Sequence, residues 1–146
     1  MTAIAKGSFA GLLAGNLLGL FLNLVESVTG LKVYILLLNV DYIPFLKDIK
    51  VSEIIEFLLH LIVSMVLGVL LHIYLIKKDF PIKQKVRFVV KVSLLIGLFL
   101  YPTTMLSDRT PVEISSAYSF LFWMVGHRLY GVALGKLLIY GKRVRG

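Results

Sequence analysis

The 146-residue chain carries too little charge for a protein that folds in water. Hydrophobic residues make up 58% of it and charged residues only 16%, whereas soluble domains carry about 25% charged residues. Such a chain cannot cover itself with a polar surface, and no polar stretch is long enough to fold alone. A soluble fold and a sizeable extramembrane domain are therefore excluded. The chain has no cysteine, which also excludes disulfides and thiolate chemistry.

The formal net charge of +8 would suggest nucleic-acid binding in a soluble domain. Here, however, the basic residues flank apolar runs, which is the pattern that orients membrane proteins. We therefore expect the lipid bilayer as the partner and no nucleic acid.

Four apolar stretches are long enough to cross a hydrocarbon layer about 30 Å thick. They are Ser8–Val28, Ser52–Ile76, Val86–Leu106 and Ala117–Tyr140. Ser52 suits the N-cap of the second stretch, and Pro81 prevents its helix from continuing. The sequence predicts an all-α, polytopic fold in which four transmembrane helices form one domain over residues 1–146.

The loop between the first two spans, Thr29–Val51, contains an apolar run that is too short to cross a bilayer. Runs of this length are usually interfacial or re-entrant. The run, Leu31–Val40, either packs over the mouth of the bundle or acts as a gating lid. A fifth span here would put the basic loops on opposite sides of the membrane, so we reject it.

Basic residues are distributed unequally between the two sides of a four-span topology. Eleven lie on the side of the chain termini, four lie on the other side, and Arg128 lies within the fourth span. Because basic loops stay in the cytoplasm, we predict that both termini are cytoplasmic.

Small residues at four-residue spacing occur in the first and fourth spans. Such residues let helix backbones approach closely. They serve either packing within one bundle or the interface of a homo-oligomer. The predicted packing residues are Gly7, Gly11, Gly15, Gly19, Gly131 and Gly135.

Polar side chains within the spans are the candidates for function, because they are costly in lipid and are expected to face the bundle interior. Arg128 in particular requires water, an anion or a carboxylate partner. The candidate residues are Asn16, Asn23, Glu26, Glu56, His60, His127 and Arg128.

Three interpretations of this polar set remain open. It is a structural network that specifies helix order, a water-accessible cavity open to the outer face, or a metal, haem or catalytic site. His60 and His127 could both bind a metal if their depths matched, but no ligand-rich shell accompanies them. We expect no metal, no cofactor and no catalytic residues, and we favour a non-enzymatic protein while leaving an enzyme open.

Several short segments occur in an order that resembles the YagU-type small bacterial inner-membrane proteins. They are His60–Ser64, Phe80–Lys83, Tyr101-Pro102, Thr110–Val112 and Gly126-His127. The likeness covers the second to fourth spans, but the proline-arginine segment that follows the first span in such proteins is missing here. The resemblance implies a multi-pass protein of the bacterial inner membrane. It also supports His60, Pro102 and His127 as site residues. The molecular activity of the family is not established.

The expected function is that of a small, non-enzymatic membrane protein with a polar cavity that opens outward and passes an ion, a proton or a solute. The alternative is a partner-binding or assembly subunit, whose glycine-rich face contacts a second copy in a homodimer or another membrane protein. An intramembrane enzyme or haem protein is the third interpretation.

Overall fold

The computed structural model describes residues 2–38, 52–103 and 116–140, in which helices are the only regular secondary structure. This confirms the all-α class. The helices are α1 (Ala3–Thr29), α2 (Val33–Leu38), α3 (Glu53–Ile76), α4 (Ile82–Thr103) and α5 (Ala117–Ile139).

Three of the helices, α1, α3 and α4, are long and apolar enough to cross a membrane. They overlap the first three predicted spans, although α1 and α4 begin four to five residues earlier than predicted and residues 104–106 of the third span lie outside the described residues. The fifth helix has 23 residues but is not among these candidate spans, and His127, Arg128 and Lys136 interrupt its apolar sequence. The described part of the chain therefore has three candidate membrane spans and a fourth long helix of mixed character.

Local signals explain where the helices begin and end. The Thr2 side chain accepts a hydrogen bond from the amide of Ala5 at 3.2 Å, so α1 begins before its apolar run. Gly30 ends α1 with a positive φ of 76° and donates its amide to the Glu26 carbonyl, as a left-handed C-cap requires. Ser52 occupies the N-cap position of α3 as predicted, although its side chain makes no capping bond.

Helices α1 and α5 form the central pair of the fold. The third helix packs mainly on α1 and the fourth mainly on α5, while α3 and α4 contact each other little although residues 77–81 join them. The core is aliphatic along the α1–α5 contact and aromatic near Trp123. The two outer helices therefore depend on different central helices for their packing.

The glycines of α1 lie against α3. A Cβ atom added at Gly7 would lie 2.5 Å from the Cα of Val69, and one at Gly11 would overlap the carbonyl of Ser64. On the other side of the fold, a Cβ added at Gly131 would lie 2.8 Å from the Cα of Val90 on α4. These glycines allow backbone contact within the chain, where any larger residue would separate the helices.

The short helix α2 folds back onto the other helices. Val33, Leu36 and Leu38 are almost fully buried, and α2 contacts α1, α3 and α5. The predicted apolar run in the first loop thus packs against the bundle over this part of its length. Residues 39–51 lie outside the described residues.

The beginning of α1 and the end of α5 meet at the same end of the fold. The Nζ of Lys6 donates a hydrogen bond of 2.7 Å to the carbonyl of Tyr140. The turn between α3 and α4 lies at this end as well, since Val86 of α4 contacts Gly135 of α5. We call it the basic end, because most described cations lie there: Lys6, Lys77, Lys78, Lys83, Lys85, Arg87, Lys91 and Lys136.

Candidate functional site: polar side chains between the helices

A hydrogen-bonded chain of three groups connects α1, α3 and α5. The hydroxyl of Ser64 donates to the carbonyl of Gly11 at 2.7 Å and lies 2.9 Å from the hydroxyl of Tyr130. Because a serine hydroxyl has one hydrogen, Tyr130 is the donor to Ser64. One buried polar chain thus fixes the relative positions of three helices.

His60 lies one turn before Ser64 on α3 and faces the same seam. Its Nε2 is 3.4 Å from the carbonyl of Gly15, and a carbonyl can only accept, so Nε2 carries the hydrogen in this contact. Glu56 lies one turn before His60 on α3 and is 4% exposed. Glu56, His60 and Ser64 therefore form one polar stripe at four-residue spacing.

His127 is buried between α4 and α5. Its Nδ1 donates to the carbonyl of Trp123 at 2.9 Å, and the Nε1 of Trp123 donates to the carbonyl of Gly97 at 2.8 Å. The glycine is required here, because a Cβ at Gly97 would lie 2.6 Å from the Cγ of His127. Tyr101 and Phe120 extend this group as an aromatic cluster.

The two histidines predicted as site residues are brought into the same part of the interior. His60 and His127 are close enough to interact electrostatically. Both ring nitrogens identified above contact main-chain carbonyls rather than other side chains. We use the name interior polar cluster for Glu56, His60, Ser64, His127 and Tyr130.

Arg128 is not part of this cluster. Its side chain is exposed, because neighbouring residues on a helix differ by about 100° in direction and His127 packs inward. Arg128 makes no ion pair within the described part of the chain. The expectation that it points into the bundle is therefore wrong for this chain taken alone.

Glu26 has a local structural role at the junction of α1 and α2. Its carboxylate accepts hydrogen bonds from the amides of Tyr34 at 2.9 Å and Ile35 at 3.2 Å, and it pairs with Lys32 at 3.3 Å. It thereby caps the beginning of α2. Partial burial, followed by the charges of Glu53 and Glu26, raises the pKa of the nearby Tyr34 phenol.

The two asparagines of α1 do not take part in the contacts that Glu26 makes with α2. The Asn16 amide donates to the carbonyl of Leu12 at 2.8 Å, within its own helix, and Asn23 is exposed. The predicted polar edge of α1 therefore does not enter the interior as a unit. The glycines Gly11 and Gly15 take the inward-facing side against α3, so the asparagines are turned away from it.

Two members of the site were not found by sequence reasoning. Tyr130 and Trp123 lie three residues after and four residues before His127, so helical spacing places all three on one face. A search for hydrogen-bonding aromatic residues at this spacing would have found them. Among the described residues, no group of three or more His, Asp or Glu side chains could hold a metal ion.

No family model, no curated protein and no solved structure matches the chain. Its described residues form an all-α fold in which three helices are long and apolar enough to cross a membrane.

Proposed function

We propose that α5 is a fourth transmembrane span and that both chain termini are cytoplasmic. The helix is about 34 Å long at 1.5 Å per residue, which is sufficient to cross a bilayer. It packs along α1 and α4, both of which are candidate spans. The contact between Lys6 and Tyr140 agrees with an even number of crossings, and the concentration of cations at the basic end supports the cytoplasmic orientation.

Cysteine labelling tests this topology directly, since the chain has no cysteine of its own. A cysteine at Asp79, in the turn between α3 and α4, is expected to react with a membrane-impermeant reagent only after the cells are opened. Reaction in intact cells would refute the orientation. The resemblance to YagU-type proteins makes the bacterial inner membrane the membrane that we propose.

Within this topology, the protein acts as a partner-binding subunit of a membrane complex, and Arg128 on α5 is the centre of its binding surface. The exposed position of Arg128 is the observation that carries this proposal. Arg128 is the middle residue of Ala117–Ile139, about 16 Å from either end of the helix. An arginine at the centre of a bilayer costs about 2.5–3.5 kcal/mol on the insertion scale, and snorkelling to the interface serves residues near helix ends.

A second copy of the chain is a poor partner for this surface. In a dimer with its twofold axis along the membrane normal, equivalent residues lie at equal depth, so an interface centred on α5 would place two Arg128 side chains at the same depth. Neither α4 nor α5 contains a carboxylate that could pair with it. The charge therefore favours a different membrane protein, one that has an acidic residue near the middle of a transmembrane helix.

The binding experiment uses a photo-cross-linking residue at position 121, because Leu121 is exposed and lies two turns before Arg128 on the same face. The matched control position is Phe99 on α4, which is 71% exposed. We expect the cross-linking residue at position 121 to form an adduct with a different protein. Arg128→Leu should abolish this adduct, and Arg128→Lys should retain part of it. An adduct of two copies, or one that is indifferent to Arg128→Leu, would contradict the proposal.

Passage of a proton or an ion is the second candidate function. The stripe of Glu56, His60 and Ser64 favours it, since a buried glutamate and a histidine one turn apart are typical of proton pathways in membranes. The test is proton flux into liposomes that contain the purified protein. Glu56→Gln is expected to abolish flux while Glu53→Gln, at an exposed position, preserves it; equal flux in both variants would exclude this pathway.

A further inference from the structure

A cavity of about 190 Å³ lies at the basic end, where α3, α4 and α5 diverge. Five aliphatic side chains line it together with His72 and Lys85. The aliphatic residues are Leu75, Ile76, Ile82, Leu138 and Ile139. It exists because α3 and α4 pack on different central helices and contact each other little.

The chemistry of the lining selects one class of occupant. The volume equals that of about six water molecules, but water requires several polar partners and most of this lining is aliphatic. An apolar chain would fill such a space favourably. The cation in the lining, Lys85, lies in the first turn of α4 and is half-buried, so the occupant combines an apolar chain with a negative group.

The surroundings of the cavity reinforce the preference for an anion. Lys77, Lys78, Lys83 and Arg87 lie within eight residues of Lys85 along the chain, and Asp79 is the one acidic residue among them. Lys85 forms no ion pair with another described residue. Basic pockets between transmembrane helices on the cytoplasmic side characteristically hold acidic lipid headgroups.

We propose that this cavity binds an acidic phospholipid, with Lys85 contacting the phosphate and the aliphatic residues contacting the upper part of an acyl chain. The proposal rests on the proposed membrane topology, which places the basic end at the cytoplasmic headgroup level. It is independent of Arg128 and of the interior polar cluster. The site would make the lipid a structural link between α3 and α4.

The test measures lipid binding to the purified full-length protein by native mass spectrometry. Phosphatidylglycerol and phosphatidylcholine with identical acyl chains are added in parallel, together with inorganic phosphate as a separate arm. We expect phosphatidylglycerol to remain bound and phosphatidylcholine to dissociate. Equal retention of both lipids, or retention of inorganic phosphate alone, would overturn the proposal.

Two pairs of variants locate the site. Lys85→Gln is expected to weaken phosphatidylglycerol binding about fivefold, from the contribution of one basic residue near a lipid surface. Lys83→Gln removes the same charge from an exposed position outside the lining and is expected to have a smaller effect. If both variants lose the same affinity, the attraction is a general one of the basic end and the cavity is not the site.

The second pair fills the cavity without changing its charge. Ile82 lines the cavity but is 57% exposed, so Ile82→Trp can occupy the space without disturbing the core. Leu95→Trp, on the exposed side of α4, is the control. Loss of lipid binding in Ile82→Trp alone supports the site, and unchanged binding refutes it. Because cysteine labelling reports the topology separately, failure of the lipid site and failure of the topology can be told apart.

Discussion

Replacement of Gly11 by alanine tests the backbone contact between α1 and α3. The added Cβ would overlap the carbonyl oxygen of Ser64 and would lie 2.7 Å from the Cα of Met65. Both contacts are with backbone atoms, so no side-chain rotation relieves them, and α1 must move away from α3. That movement also stretches the 2.7 Å hydrogen bond from Ser64 to the Gly11 carbonyl.

The expected loss of stability combines two contributions. Overpacking of a close contact costs about 1–3 kcal/mol, and an interhelical hydrogen bond in a membrane protein contributes about 0.6 kcal/mol on average. Alanine is intrinsically better than glycine in a helix by about 1 kcal/mol, which offsets part of the loss. We therefore expect Gly11→Ala to reduce the free energy of unfolding by about 0.5–2.5 kcal/mol.

The assay is reversible unfolding in detergent micelles, followed by the fluorescence of Trp123, the single tryptophan of the chain, which is 2% exposed. Gly135→Ala is the matched control, because its Cβ would approach Val86 no closer than 3.2 Å. Its stability is expected to stay the same or rise slightly. A Gly11→Ala protein as stable as the Gly135→Ala protein would refute the argument from backbone contact.

Two further predictions concern individual hydrogen bonds. Ser64→Ala and Tyr130→Phe are each expected to reduce stability by about 0.5–1.5 kcal/mol, and a double-mutant cycle should give a coupling near 0.6 kcal/mol; strictly additive effects would mean that their hydroxyls do not interact. Glu26→Gln is expected to cost about 1 kcal/mol locally, since it weakens the cap of α2, and to accelerate hydrogen exchange of the Tyr34 amide. Unchanged exchange there would show that α2 does not depend on this carboxylate.

The position of Arg128 changes how the polar residues of this chain are understood. Counted along the sequence, it belongs with His127, and a cavity in the bundle was the natural expectation. In the folded chain, His127 is buried in the interior and Arg128 is exposed. Within the interior polar cluster, His60, Ser64 and His127 contact main-chain carbonyls, whereas Arg128 presents a positive charge to whatever surrounds α5.

The candidate site could be predicted only in part. Glu56 and His127 are buried and His60 is partly buried, in keeping with the avoidance of polar residues in lipid. The same argument fails for Asn23 and Arg128, since it assumes that every polar side chain can turn inward. Each helix has one inward face. The glycines occupy this face on α1, and His127 occupies it on α5.

The sequence by itself determined that the chain belongs in a membrane, that its elements are helices, and which end of the fold is basic. These properties depend on local hydrophobicity, on caps such as Thr2 and Gly30, and on the order of charges along the chain. Tertiary structure alone decided that α1 and α5 are central, that Ser64 meets Tyr130, and that α3 and α4 diverge around a cavity. Those features depend on the angle at which each helix faces its neighbours, and that angle is set by backbone contacts between residues far apart in the sequence.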